Sequence, residues 1–398
     1  MEIKNMNIKY TIVLAIFTII IIAGSIAAYC YYNSNATTAN IDNSNTSTNS
    51  PSNSNKPANT PIPASLTGAG ASFPYPFIDR IITEYTKTKS HIQVNYQPSG
   101  SGAGITALID KTVDFAGSDA PLSASEREKA PNVLHIPETI GSIAIAYNIP
   151  NVSSRLKLTG QVIADIFEGK ITMWNDPKIA DLNPSITLPA AKIITVHRSE
   201  SSGTTFVFTG YLSKMSTSWK NNVGQSKAVT WPPANDIASS GNTGVAQLVI
   251  STSYSIGYVE LAYALQTDMA IAAVQNFAGK YILPTLESTT VAARSVALEG
   301  LPAGNADWSG VNLLNAKDAE AYPIVSFSYI LIYQELNVIP GMTQERATAL
   351  IEFLWYIIHD GQQLANSLEY ASLPGNIAII NETTIRSITF NGQTLPAA

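Results

Sequence analysis

The sequence contains almost no cysteine and has no histidine cluster. Cys30 is the only cysteine among its 398 residues, so neither a disulfide within the chain nor a cysteine-based metal site can form. The four histidines are His91, His135, His197 and His359, and none of their spacings is typical of a zinc site. We therefore expect no metal ion and no cofactor.

Charged residues are also scarce, and positive charge accumulates nowhere. Asp, Glu, Lys and Arg make up 13% of the chain, and its formal net charge is -6. A nucleic-acid surface needs a basic patch with interleaved aromatic residues, and the sequence has none, so we expect no nucleic-acid partner. A local site in a weakly acidic protein can still bind an anion. With 45% hydrophobic residues and this length, the chain can form two globular lobes.

One long hydrophobic run lies near the N-terminus. It follows two lysines, and no further charged residue occurs before Asp42. As a helix, residues 11–32 would extend about 33 Å, which is enough to cross a bilayer. Lysines on one side only predict a cytoplasmic segment at 1–9, a membrane anchor at 10–32 and an extracellular remainder. A cleaved signal peptide and a lipid attached to Cys30 are the alternatives.

Residues 33–65 consist almost entirely of Asn, Ser, Thr and Pro. Such a segment cannot bury enough apolar surface to fold, and it is predicted to be a disordered tether between the membrane and the globular part. This organisation places the globular part on the extracellular face of the cytoplasmic membrane, or releases it if the N-terminal segment is cleaved.

From Leu66 onward, strand and helix patterns alternate, which predicts an α/β fold with mainly parallel sheets. Helical periodicity is found at 75–87, 159–168, 207–214 and 343–369. Strands are predicted at 91–97, 113–117, 141–149, 192–196, 255–261 and 323–333.

Four turns between predicted strands and helices are rich in glycine and hydroxyl groups. Their sequences are LTGAGASFP (66–74), YQPSGSGAGI (96–105), FAGSDAP (115–121) and HRSESSGTTFVF (197–208). Ligands of open α/β sheets bind beyond the carboxyl ends of the strands, at helix N-termini. A single turn of this kind carries little weight, but four of them indicate a binding site.

These turns suit an anion. Helix N-termini offer unpaired N–H groups, hydroxyls can donate to the same ligand, and glycines allow a close approach of the backbone. Arg198 adds a guanidinium whose fork fits a tetrahedral oxyanion, and Glu200 could orient it. An exposed ion pair of little energetic value is the alternative for these two residues. The candidate donors are Ser72-Phe73, Ser101-Gly102 and Ser202-Gly203-Thr204.

Asp119 is unexpected in such a site, because a carboxylate repels an anion. It would be tolerated only by a ligand that carries a proton to donate to it. Phosphate keeps at least one proton near neutral pH and sulfate does not, so an acceptor-only group can discriminate between them. An N-cap or an Asx turn before Pro121 explains the residue equally well.

The four turns together resemble the PstS family, the phosphate-binding subunits of ABC phosphate transporters. Further similar stretches are WKNNVG (219–224), SIGYVELAYA (255–264) and EYASLP (369–374), and the similarity extends from Leu66 to the last helix. The resemblance implies a two-lobed periplasmic-binding-protein fold of type II, with two chain crossovers and the ligand in the cleft. It further implies lobe 1 at 66–147 with 323–398, and lobe 2 at 148–322.

The resemblance also implies roles for individual residues. Asp119 stands where the family accepts the phosphate proton, and Glu200 stands where an aspartate is usual beside the binding arginine. The implied phosphate ligands are Ser72, Phe73, Ser101, Asp119, Arg198, Ser202, Gly203 and Thr204. The implied partners are inorganic phosphate and the permease subunits of an ABC importer, and we expect a monomer without enzymatic activity.

Three other functions remain open. A secreted serine hydrolase or phosphatase could use Ser101 or Ser202, but the sequence lacks G-x-S-x-G and no histidine is placed as a base. His197 adjoins Arg198, so the two side chains would point to opposite faces of a strand. A binding protein of the same fold for another oxyanion would have no use for Asp119. An adhesin or sensor that kept the fold is compatible with the sequence.

Overall fold

The computed structural model describes residues 63–152, 154–232, 235–297 and 300–396. The predicted anchor at 10–32 and the predicted tether, apart from its last three residues, lie outside the described residues. The tether was predicted to end at residue 65, but the first strand begins at Ala64, where the chain pairs with residues 92 and 93 of the next strand.

The chain alternates strands and helices as the sequence predicts. The strands are β1 (Ala64–Gly70), β2 (Ile92–Gln97), β3 (Phe115–Ser118), β4 (Val133–Asn148), β5 (Lys157–Leu158), β6 (Ile194–Arg198), β7 (Asp236–Ser239), β8 (Ser255–Glu260), β9 (Ala270–Ile271), β10 (Ala273–Gln275), β11 (Tyr281–Ile282), β12 (Val325–Tyr333), β13 (Thr389–Phe390) and β14 (Gln393–Thr394).

The helices fill the connections between these strands. They are α1 (Tyr75–Thr88), α2 (Ser101–Ile109), α3 (Ala124–Lys129), α4 (Gly160–Phe167), α5 (Pro177–Ala180), α6 (Gly203–Met215), α7 (Thr217–Asn222), α8 (Gly241–Ser251), α9 (Leu261–Gln266), α10 (Leu286–Ala297), α11 (Gln344–Ile358), α12 (Gln362–Ala365) and α13 (Gly375–Arg386). Two short 3-10 helices lie at Leu336–Val338 and Asn366–Leu368.

Nine strands form one large sheet in the order β2-β1-β3-β12-β4-β8-β6-β7, with β9 beside β4. The α/β class is confirmed, but the prediction of mainly parallel pairing is wrong. β12 pairs antiparallel with both β3 and β4, and β4 pairs antiparallel with β8 and β9. In this sheet only the outer pairs are parallel. β1 pairs in parallel with β2 and with β3, and β6 pairs in parallel with β7 and with β8.

The long strand β4 joins two halves of this sheet. Its residues 133–142 pair with β12, and its residues 143–148 pair with β8. All but the last of its 16 residues are buried, because helices and loops cover both faces. The chain passes from one half to the other between Ser142 and Ile143.

Helix α1 shows how the sequence determines the packing of the first half. Phe77, Ile78, Ile81 and Tyr85 recur at helical spacing, and all four are buried, as their periodicity predicts. The Tyr85 ring lies 5.2 Å from that of Phe353 in α11, measured between centroids. This contact fixes α1, and therefore the turn that precedes it, against the core.

Two of the predicted helices differ from the structure by more than one residue at an end. The pattern at 343–369 is not one helix, because α11 ends at Ile358 and His359 adopts a non-helical backbone. Gly361 then donates its N–H to Tyr356 O, and a Cβ at Gly361 would collide with Ile81. Helix α6 begins four residues before the predicted start at 207, since Ser202 caps it by accepting a hydrogen bond from the N–H of Thr205 (3.2 Å).

Within the described part of the chain, no helix combines the length and the apolar character needed to cross a membrane.

Candidate anion-binding site

The four predicted turns lie at the carboxyl ends of strands. Those after β1 and β2 carry Ser72 and Ser101, and Asp119 directly follows β3. In the other half of the sheet, Arg198 is the last residue of β6, and Thr204 lies in the first turn of α6. All five side chains are buried. Parallel strands end at the same edge of a sheet, so each half of the molecule presents its own group of polar residues there.

Arg198 is held by partners on its own half of the molecule. Its Nε donates to Glu200 Oε1 at 2.8 Å, its Nη2 contacts the same oxygen, and its Nη1 donates to Thr204 Oγ1 at 3.1 Å. Glu200 Oε1 also accepts from the N–H of Gly241 at 3.0 Å. The guanidinium is 1% exposed. The pair is therefore not a surface ion pair of little value, and its orientation is fixed.

Asp119 lies opposite, on the first half. Its N–H donates to Ser101 Oγ (3.2 Å), and Ser328 Oγ lies 3.1 Å from its Oδ1. Burial raises the pKa of this carboxyl to about 7, although Ser328, the Arg198 charge and the Thr204 hydroxyl act in the opposite direction. The shift shows that a charge at this position is poorly solvated.

The two groups of residues meet. A Cβ added to Gly203 would lie 2.6 Å from Asp119 Oδ2 and would collide with Ser101 Oγ. The N–H of Gly102 donates across the same gap to Ser201 O at 3.0 Å. The structure thus brings the predicted residues of both halves to a common point, and a residue larger than glycine at 203 has no space there.

Asn242 completes this meeting point, and the sequence analysis missed it. Its backbone N–H and its Nδ2 each lie 3.1 Å from Ser72 Oγ, and its Nδ2 lies 3.3 Å from Thr204 Oγ1. Its Oδ1 accepts from the N–H of Glu260 at 2.9 Å. The stretch SSGNTG (239–244) is a fifth hydroxyl- and glycine-rich turn between a strand and a helix, so the same pattern could have identified it.

These contacts leave hydrogen-bond donors available. Ser72 Oγ and Ser101 Oγ accept hydrogen bonds from Asn242 and Asp119, so their own hydrogens can be donated elsewhere. Several backbone N–H groups of the predicted ligands have no acceptor in a turn, loop or side chain of the described residues. They belong to Ser72, Phe73, Gly203 and Thr204. The cleft is therefore lined by neutral donors, one guanidinium and one carboxyl group.

Comparisons with known proteins place the chain in a family. Residues 42–360 match the PBP superfamily domain. The phosphate-binding protein PstS of Pasteurella multocida (strain Pm70) is 42% identical over 314 residues, covering 79% of this chain and 87% of that protein. The protein of the same name from Xylella fastidiosa (strain Temecula1 / ATCC 700964) is 41% identical over 318 residues, covering 78% and 82%.

The chain belongs to the PstS family. A solved structure of the phosphate-binding protein from Stenotrophomonas maltophilia is similar to it, with a TM-score of 0.61 and 20% identity over 80% of this chain and 93% of that one. At this identity the likeness shows the fold alone. It confirms the expected two-lobed periplasmic-binding-protein fold.

Gly203→Ala tests whether the two halves must meet at this point. The added methyl group would push Ser101 and Asp119 away, and such overpacking costs about 1–3 kcal/mol. We expect a loss of phosphate affinity of roughly 5- to 150-fold in titration calorimetry.

Gly375→Ala is the matched control, because nothing lies within 4 Å of a Cβ at that position. It should bind like the unchanged protein. Equal affinities of the Gly203→Ala variant and its control would show that binding does not require this contact.

Proposed function

We propose that this protein captures inorganic phosphate outside the cytoplasm and delivers it to an ABC-type phosphate importer. The observation that carries the proposal is that Asp119 and Arg198 are brought into one buried cleft, among neutral donors. Names of the PstS relatives support phosphate as the ligand. The permease subunits as partners and the monomeric state remain predictions.

Phosphate would be bound by both lobes. On lobe 1, the donors are the N–H groups of the Ser72–Phe73 turn and the hydroxyls of Ser72 and Ser101. On lobe 2, Arg198 and the start of α6 complete the site, and Glu200 orients the arginine. The proposed ligands are Ser72, Phe73, Ser101, Asp119, Arg198, Ser202, Gly203 and Thr204. Ser202 contributes its hydroxyl, because its N–H already donates to Lys227 O at 2.8 Å.

Charge alone does not explain the binding of an anion here. Arg198 carries one positive charge, whereas Asp119 and Glu200 carry one negative charge each when ionised, so these three groups sum to -1. The ligand must instead be stabilised by N–H and O–H dipoles that are already oriented towards it. A proton on the ligand removes the remaining conflict, because it lets the ligand donate a hydrogen bond to Asp119.

A hydrolase lacks comparable support. The Nδ1 of His197 lies 3.0 Å from Arg198 O, and its Nε2 lies 2.8 Å from Asp236 Oδ2. Its ring stacks on Trp231 at 4.6 Å between centroids. Both ring nitrogens are thus engaged, and His197 cannot serve as a base for Ser101 or Ser202 in this arrangement.

Phosphate and sulfate should be distinguished through Asp119. Titration calorimetry at pH about 8.5, where the carboxyl is ionised, should give tight binding of phosphate and no measurable binding of sulfate. Because the pKa of Asp119 is raised to about 7, the neutral acid persists below that pH and can donate to sulfate. At pH about 5.5, sulfate should therefore compete measurably.

Asp119→Asn should bind sulfate at both pH values, since an amide can donate to it. Asp268→Asn is the control, because Asp268 is exposed and its φ of 50° suits asparagine. If Asp119→Asn still rejects sulfate, selectivity does not come from this carboxyl.

We further propose that residues 10–32 anchor the protein in the membrane and that the segment from residue 33 to the start of β1 at Ala64 tethers the lobes outside. The support is the apolar run preceded by two lysines, together with the polar composition that follows. The same proposal includes the two lobes, with lobe 1 at 66–147 and 323–398 and lobe 2 at 148–322.

Fractionation of cells that express the full chain tests the anchor. The uncleaved protein should sediment with membranes and resist a carbonate wash, and Cys30→Ala should behave identically. Release of the Cys30→Ala variant alone would indicate a lipid instead of a helix. A soluble protein that lacks the N-terminal segment would indicate a cleaved signal peptide.

A further inference from the structure

Glu138 lies at an irregularity in β4, directly behind the proposed phosphate site. Thr139 pairs with Ser328 of β12, but the next pair joins Pro137 to Tyr329, so Glu138 has no opposite residue. This is a β-bulge, a feature that redirects side chains. Two side-chain amides satisfy backbone carbonyls there. Gln362 Nε2 donates to Glu138 O at 2.9 Å, and Asn381 Nδ2 donates to Pro137 O at 2.6 Å.

The bulge brings the Glu138 side chain to the hydroxyl that also contacts Asp119. Ser328 Oγ lies 3.0 Å from Glu138 Oε1 and 3.1 Å from Asp119 Oδ1. Glu138 and Ser328 are 0% exposed, and Asp119 is 2% exposed. A hydroxyl has one hydrogen and can donate it to only one carboxylate. The second carboxyl group must therefore carry a proton of its own, or two oxygen lone pairs would face each other without water.

The surrounding charges decide which carboxyl group holds that proton. Arg198 lowers the pKa of Asp119 and so favours its ionised form. The pKa of Glu138 is lowered only by the Ser328 hydroxyl and is raised by the negative charge of Asp119. Within the described residues, Glu138 Oε2 has no hydrogen-bond partner. The negative charge of Asp119 in turn raises the pKa values of Glu260, Tyr96, Tyr263, Tyr329 and Tyr370, and none of these groups is a cation.

The same order follows from desolvation. Burial and the negative charge on Asp119 together raise the pKa of Glu138 to about 8, and burial raises that of Asp119 to about 7. The two carboxyl groups titrate as a coupled pair, and Asp119 is the first of them to lose its proton.

We propose that Glu138 is a positioning residue for phosphate selectivity. Its carboxyl group stays protonated and donates a hydrogen bond to Ser328 Oγ, so that the Ser328 hydroxyl donates its own hydrogen bond to Asp119 Oδ1. Asp119 then stays ionised, and its Oδ2, the oxygen nearest to Gly203, accepts the proton of phosphate. The proposal rests on the proposed function, since it concerns how Asp119 recognises its ligand.

Loss of the Glu138 proton would break this arrangement. As the pH rises through the pKa of Glu138, a second buried negative charge forms beside Asp119 and close to the bound anion. Ser328 can then satisfy only one of the two carboxylates, and phosphate affinity should fall. Glutamine at position 138 keeps an N–H donor for Ser328 but cannot ionise.

Titration calorimetry with inorganic phosphate at pH about 7.5 and about 9.5 tests this. From the lower to the higher pH, the phosphate affinity of the unchanged protein should fall about tenfold or more. The affinity of Glu138→Gln should fall by a factor that is several-fold smaller. Glu345→Gln, which removes an exposed carboxylate from α11, should follow the unchanged protein. Equal losses in Glu138→Gln and the unchanged protein would overturn the proposal.

Infrared difference spectroscopy of the ligand-free protein gives a second test that does not depend on phosphate binding. At neutral pH the unchanged protein and Glu345→Gln should both show a protonated-carboxyl band that Glu138→Gln lacks. Absence of this difference would overturn the proposal. A protein that shows the band but binds no phosphate would contradict the proposed function and leave the protonation of Glu138 established.

Discussion

Asp119 and Arg198 are brought into one buried cleft, and the rest of the site depends on this arrangement. Each residue comes from a different half of the molecule, so their approach requires the halves to be in contact. Burial makes both charges costly unless they are paired or hydrogen-bonded. Glu200 and Thr204 satisfy the guanidinium, and Ser328 satisfies the carboxyl group. The ligand then interacts with groups whose positions are already fixed.

Pre-formed contacts around the cleft reduce the cost of ligand binding. Asn242 occupies the acceptor sites of Ser72 and Thr204, which turns these hydroxyls into donors of fixed direction. The hydroxyl of Tyr263 donates to Ser72 O at 2.6 Å and holds the same turn from the other half. Strand β4 extends through both halves, so the groups that face each other belong to one continuous sheet.

The sequence predicted the turns of the site because their signal is local. Glycine and hydroxyl residues between a strand and a helix indicate a binding turn without knowledge of the rest of the fold. The antiparallel pairing of β12 could not be read locally, since it joins the C-terminal part of the chain to β3 and β4. Glu138 was missed for a related reason: its position depends on a bulge that exists only once β12 has paired with β4.

The most direct measurement is a high-resolution crystal structure of the protein with phosphate bound. The predicted result is a phosphate between the two halves, with one oxygen at hydrogen-bond distance from Asp119 Oδ2 and others contacting Arg198 and the N–H groups of Phe73 and Thr204. Phosphate bound outside this cleft, or a cleft in which Asp119 does not contact it, would contradict the central claim that a protonated oxyanion is recognised by this carboxyl.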